Sequence, residues 1–363
     1  MSQGTTILPT VGTISGLTMV GNMNSALDAL LTNNSGSSAP GSPEAYQFWL
    51  DTSGTLKVLK QRNAANNAWV VVGFLDANNI FHFAAGSLPE GHLFNGQITT
   101  AVGSNNLTVS VKTWAGADPS ASDPVFICLN NTIYAITSAL SVTINAGANA
   151  FNAGSAELAT KEIDYFAYIG LKTSGSVIFL LVSRLPYGRV YGDFSATNTN
   201  EKYGACSTTP ASTDVLQVVC RFNAILGVSA TYYWSIPGTS IIINHPIYET
   251  RELDWASQNT GLTSVSSSLY KYKLIGSQMF IAFVLAGVSN STSFSGTLPF
   301  NSLRAIDVLE LAQDNSNYGV GLVDIAAGAA AMNFRYGPTS YTTNASWTGS
   351  GQKSIYFYRA LQI

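Results

Sequence analysis

Charge is what this chain has least of. It carries 17 Lys and Arg and 20 Asp and Glu in 363 residues, 10% charged in all, against about 25% in an ordinary soluble domain. The formal net charge is -3. The few basic residues are scattered, so no electrostatic footprint for nucleic acid is visible. No apolar run approaches the ~18–20 residues that span a bilayer as a helix. The densest runs, 177–182 and 279–288, have strand lengths, so membrane insertion is not expected. A hydrophobic content of 46% excludes intrinsic disorder. No Lys or Arg precedes Lys57, and residues 1–13 lack the basic region and apolar core of a secretory signal. The expectation is therefore a chain made and folded in a cytosol, with the neutral surface of an extracellular protein. A particle assembled inside a cell and released by lysis reconciles the two.

Cysteine and histidine are equally scarce. Cys128, Cys206 and Cys220 form no Cys-x-x-Cys pair, and His82, His92 and His245 are far apart. A zinc site has no support in this spacing, and no metal or organic cofactor is expected. Cys128 and Cys220 lie in apolar alternation and read as small core residues. A Cys206–Cys220 bridge is the alternative to reduced thiols, and a cytosolic start argues against it.

Catalytic signatures are missing too. Gly349-Ser-Gly-Gln-Lys353-Ser354 resembles a phosphate loop but lacks its spacing and does not open a helix. Gly319-Val-Gly321 fails the dinucleotide fingerprint at its third glycine. No Gly-x-Ser-x-Gly elbow occurs. Asp193 to Thr199 lacks the glycine and terminal glutamate of a calcium loop. Glu249, Glu252 and Asp254 could be read as a carboxylate pair for glycoside hydrolysis. The opposing reading is that Arg251 neutralises them and that 241–255 is a solvated junction. No catalytic residue is assigned, and no enzyme is expected.

What is present is β structure. Ser, Thr, Asn and Gly supply the polarity, and aromatics make up 11%. Residues 1–40 form an anchor with one helical segment. Val20, Met23, Leu27 and Leu30 follow the 3–4–3 spacing of a heptad seam. Ser25 and Asp28 resemble a capping box, and Asn33 to Gly36 stops the helix. So short a helix is marginal alone in water. It either lies on its own domain or bundles with identical copies, and Gly21 weakens both. The four seam residues are the candidate interface of a parallel homotrimer.

Residues 41–83 read as a small module of hairpins, with strands at 46–50, 56–62, 69–75 and 80–83. Residues 84–240 carry strands at the 8–12-residue spacing of a sandwich or barrel, with a hint of helix at 156–162. Beyond the junction, residues 256–363 hold seven or eight strands, enough for a jelly-roll-like sandwich. No fixed-period repeat is present, against a long β-helix. The fold class expected is mainly β.

The module brings a resemblance into view. Ser42-Pro-Glu-Ala-Tyr46, Phe48-Trp-Leu-Asp-Thr52, Leu59-Lys-Gln-Arg-Asn-Ala-Ala-Asn66 and Trp69-Val-Val-Val-Gly73 resemble a module of tailed-bacteriophage virion proteins, namely tail fibres, head fibres and minor structural proteins. Tyr270-Lys-Tyr-Lys-Leu-Ile-Gly276, Thr297-Leu-Pro-Phe300 and Trp347 to Ser354 resemble C-terminal tip domains of phage fibres, which are similar to trimeric jelly rolls of the tumour-necrosis-factor kind. The resemblance implies a virion setting and a central final strand. It implies attachment to another virion protein through the N-terminal region. It also implies a distal domain that meets a host surface glycan or protein. Tyr336, Tyr341, Asn344 and Trp347 are the candidate receptor contacts, in a stretch that Gly337-Pro338 breaks from its strand. The alternative for Tyr336 and Trp347 is burial at strand ends. A head fibre or decoration protein without receptor role, and a virion-associated glycan hydrolase, are the alternative functions.

Overall fold

A computed structural model describes the chain apart from residues 1–11, 13, 32, 55–56, 76–78, 80, 84–88, 148–150, 152–155, 175–176, 187–204, 230, 239, 290 and 337–346. The side chains of residues 29, 31, 82, 83 and 205 are likewise not described. The fold is mainly β, with one short helix and several curled, sandwich-like sheets. Two compact units are present, Met1–Gln97 with Val111–Ala139, and Ile98–Ser110 with Leu140–Ile363. These limits differ from the composition-based boundaries at 40, 83, 240 and 255.

Helix α1 (Gly16–Leu31) starts at Ser15, whose Oγ accepts the Thr18 N–H at 3.1 Å. A hydroxyl there satisfies one of the amides left open at a helix start. Ser25, expected as a cap, lies inside the helix, which runs on through Gly21 at a cost of only about 1 kcal/mol. The helix ends where Asn33 and Asn34 adopt φ of 49° and 53°, a left-handed turn that Asn tolerates. The next residues dock on the first strand, where Asn34 donates to the Phe48 carbonyl and the Trp49 indole to the Gly36 carbonyl.

Strands β1 (Phe48–Asp51), β2 (Lys57–Arg62), β3 (Trp69–Leu75) and β4 (Phe81–Phe83) form the expected antiparallel meander. Asparagine closes its central loop. Asn63 Oδ1 accepts the amides of Asn67 and Ala68, while Arg62 Nε donates to Asn66 Oδ1. Trp49 and Trp69 pack edge-on at 5.3 Å, with the Lys60 ammonium 4.7 Å above Trp49. Then come β5 (Leu93–Phe94), β6 (Gly96–Gly103), β7 (Asn106–Thr113), β8 (Val125–Leu129), β9 (Thr132–Ile136) and β10 (Leu140–Ile144). They make two three-stranded sheets, β5-β8-β9 and β10-β7-β6.

The larger unit holds a five-stranded sheet of β11 (Glu162–Leu171), β12 (Ile178–Ser183), β13 (Ala205–Cys206), β14 (Val215–Val228) and β15 (Tyr232–Ser235), in the order β13-β12-β11-β14-β15. β11 is buried on both faces from Ile163 to Leu171, which explains why its only charged residue beyond Glu162 is Asp164. Residues 156–160 are turns, not the hinted helix, with Thr160 at φ 62°. All three cysteines are free, so the alternative Cys206–Cys220 bridge does not form. Burial pushes the Cys220 thiol up to about 12.

The C-terminal strands are β16 (Leu253–Asp254), β17 (Leu262–Ile275), β18 (Gln278–Ser289), β19 (Phe294–Thr297), β20 (Ile306–Asp314), β21 (Asn317–Ile325), β22 (Ala331–Tyr336) and β23 (Gly351–Gln362). They hydrogen-bond as one sheet in the order β16-β17-β18-β23-β20-β21-β22-β19, so the final strand is central. The sheet is folded over. β23 pairs with β18 along its whole length but with β20 only from Lys353 to Ile355. Phe283 on β18 and Phe334 on β22 are far apart in strand order, yet their rings lie 5.4 Å apart. A bridge between Thr260 and Ser295 joins the two far margins. The result is a sandwich whose layers are β16-β17-β18-β23 and β20-β21-β22-β19. Trp255, Tyr272, Phe283, Phe334 and Phe357 fill it.

Candidate functional site

The heptad seam lies open on α1. Val20, Met23, Leu27 and Leu30 are 55%, 45%, 54% and 68% exposed. Spaced three and four residues apart, they make one apolar stripe. A stripe facing water costs solvation that a partner helix would relieve.

The candidate receptor contacts separate. Trp347 is 1% exposed. Its indole N–H donates to the Phe334 carbonyl at 3.0 Å, and its ring packs 4.6 Å from Phe294 and 5.0 Å from Tyr336. It belongs to the sandwich core and offers no face to a partner, because both its ring and its single donor are used inside. Tyr336 is half-buried on top of it, with its hydroxyl donating to the Asn317 carbonyl at 3.3 Å. This is the strand-end alternative. Tyr341 and Asn344 lie outside the described residues.

Beside Trp347 is a buried ion pair that the sequence reading missed. Lys353 Nζ donates to Asp314 Oδ1 at 2.5 Å, to Thr348 Oγ1 at 2.6 Å and to the Ser350 carbonyl at 3.0 Å. All three ammonium protons are thus used. Asp314 also accepts the Thr348 amide at 2.7 Å and the Thr348 hydroxyl at 2.6 Å. The side chains are 0% and 3% exposed. Burial alone would raise the Asp314 pKa, but the bonds from Lys353 and Thr348 outweigh it and hold the carboxyl below its ordinary value. The cluster ties the end of β20 to the start of β23. It also disposes of the phosphate-loop likeness, since Lys353 has no proton left for an anion. The legible signal was alternation: Lys353 shares the inward face with Ile355 and Phe357.

The junction corrects another expectation. Arg251 does not neutralise its neighbours, and the segment is only partly solvated, with Thr250, Leu253 and Trp255 buried. The Arg251 amide, Nε and Nη2 donate to Asp164 at 2.8, 3.0 and 2.7 Å, and Nη2 also to Glu162 at 2.6 Å. Asp164, Thr250 and Trp255 are buried. Glu249 pairs instead with Lys273 at 2.9 Å and Asp254 with Lys271 at 2.6 Å. Pairing of β16 with β17 and insertion of Trp255 into the core pull this stretch inward.

Asp193 to Thr199 lies outside the described residues. Among the described residues no group of three or more His, Cys, Asp or Glu is placed to hold a metal ion. Among them, too, no helix is long and apolar enough to cross a membrane. Compared with known proteins, the chain matches no family model, no curated protein and no solved structure.

Proposed function

We propose that this chain is a non-enzymatic structural protein of a tailed-bacteriophage virion, a homotrimeric fibre. Its N-terminal region attaches to another virion protein, and its C-terminal sandwich faces the host surface. The observation that carries the proposal is α1, whose heptad seam is 45–68% exposed on every position. A 16-residue helix with an open apolar stripe is marginal alone and is stabilised by copies of itself. The virion setting draws on the wording of residues 42–73, whose meander and asparagine-closed loop give that wording a structural role. The charge deficit fits a surface that meets copies of itself, since charged residues are depleted where interfaces are buried.

The experiment is gold labelling of purified particles with antibodies against the C-terminal sandwich. Label on thin projections of the particle is expected. Particles that carry neither the label nor the chain by mass spectrometry would rule out the virion assignment.

A further inference from the structure

The outer face of the β16-β17-β18-β23 layer carries two aromatic rings among small residues. Along β18 and β23 the inward positions Met279, Ile281, Phe283, Ile355, Phe357 and Leu361 are buried. Phe280 and Tyr358 alternate with them and point outward, 41% and 51% exposed. Register gives each ring an alanine as its neighbour, since Phe280 pairs with Ala360 and Tyr358 with Ala282. The rings are thus diagonal across the strand pair, within each other's reach, and stand above a floor of methyl groups.

Charged side chains border the rings on one side. Asp254, Lys271, Ala282 and Tyr358 form one row across the four strands, and Lys273, Phe280 and Ala360 form the next. Lys271 holds Asp254 at 2.6 Å and Lys273 holds Glu249 at 2.9 Å, with all four side chains 34–55% exposed. The Asp254 bond, with Glu252 farther off, pushes the Lys271 pKa up. The border therefore sets Glu249, Glu252 and Asp254 against two lysines and is net negative. Its paired groups offer donors and acceptors side by side. Gln278 and Gln362, paired in the following row, add amides at the other margin.

We propose that this platform binds a neutral, hydroxyl-rich glycan chain. The proposal rests on the reading that the C-terminal sandwich faces the host surface, and it names what the sandwich takes there. A sugar ring has an apolar face of C–H groups and an equator of hydroxyls. Phe280 and Tyr358 suit the first, and the ion pairs and amides suit the second. The negative border disfavours a phosphorylated or carboxylated polymer. A protein partner fits less well, because charged residues are depleted where protein interfaces are buried. The row from Asp254 to Tyr358 crosses three strand spacings, about 14 Å, the reach of a short oligosaccharide.

The test uses the full chain on a printed array of defined bacterial polysaccharides, neutral and anionic. The wild type should bind a neutral polysaccharide, and titration should show the affinity falling about tenfold in Tyr358→Ala and in Phe280→Ala. Tyr318→Ala, on the other layer at 70% exposure, should bind as the wild type does. Circular dichroism checks each fold, and native mass spectrometry each mass. No binding to any neutral polysaccharide, stronger binding to anionic ones, or affinity indifferent to both ring variants would overturn the platform. A change of assembled mass in Tyr358→Ala would overturn it too, by showing that the face meets another protein chain. Adsorption to the cells that the particles infect separates this proposal from the reading beneath it. Equal adsorption of wild type and both ring variants would remove the platform and keep the host-facing sandwich. A wild type that adsorbs to none of those cells would remove the host-facing sandwich itself.

Discussion

Replacing Asp314 by alanine removes the only carboxylate that Lys353 touches among the described residues. The ammonium keeps two neutral acceptors, Thr348 Oγ1 and the Ser350 carbonyl, but loses its counter-charge. Breaking one side of a buried ion pair costs about 3–5 kcal/mol. The remaining acceptors place this case near the lower end, at about 3 kcal/mol. For a compact unit the size of Ile98–Ser110 with Leu140–Ile363 each kcal/mol moves the melting temperature by roughly 2–4 °C, so calorimetry at pH 7 should record a fall of roughly 6–12 °C in the transition of that unit. Acid sharpens the test. The folded Asp314 pKa lies below its unfolded value. Its contribution is therefore fully present above the unfolded pKa of about 3.9 and is lost as pH falls through the folded value. The gap between wild type and variant should be constant from pH 7 to 5 and shrink below about pH 4. Removing both charges with Asp314→Leu and Lys353→Met should recover most of the loss, because an apolar pair has no ion to desolvate. A fall below about 2 °C, a gap indifferent to acid, or a double variant as unstable as the single one would refute this account of the cluster.

Three further predictions follow from other parts of the fold. Asp214 is held at about 2 against burial by Lys172 at 2.8 Å and by the amides of Ala211 and Thr173. Asp214→Asn should remove roughly 2 kcal/mol at neutral pH, and the difference should fade between about pH 4 and pH 2 in denaturant titrations. Gly287 lies where a Cβ would sit 2.1 Å from the Ser264 carbonyl, beside the bulged pairing of β17 and β18. Gly287→Ala should cost about 1–3 kcal/mol by chemical denaturation, and an unchanged midpoint would contradict that close approach. Thiol titration of the unfolded chain should count three free cysteines. In the folded protein Cys220 should be silent, and a unit mass loss of two hydrogens would reveal a bridge instead.

Local pattern made part of this fold legible. β7 alternates with one buried face, which fixes its register, and β3 begins and ends where its flanking turns place it. Strand ends at polar residues were not legible. β14 runs through Asn223 to Val228 because Asn223 is buried and satisfied by Glu162, Ser240 and the Ile241 amide. β20 extends to Asp314 because Lys353, 39 residues on, receives it. β17 starts at Leu262 within a serine-rich run, since its pairing with β18 outweighs local propensity. The apolar stripe of α1 was readable from spacing alone. The place of Trp347 was not, because its partners Phe294 and Phe334 come from distant strands. Arg251 was misread for the same reason, its acceptors lying 87 and 89 residues away.

The central claim is that the folded protein is three copies of one chain. Light scattering on the full-length protein during size-exclusion chromatography, at micromolar concentration and physiological salt, measures this directly. The account predicts a single species at three times the 38.4 kDa chain mass. A stable species at 38.4 kDa, with a cooperative melt of its own, would contradict it.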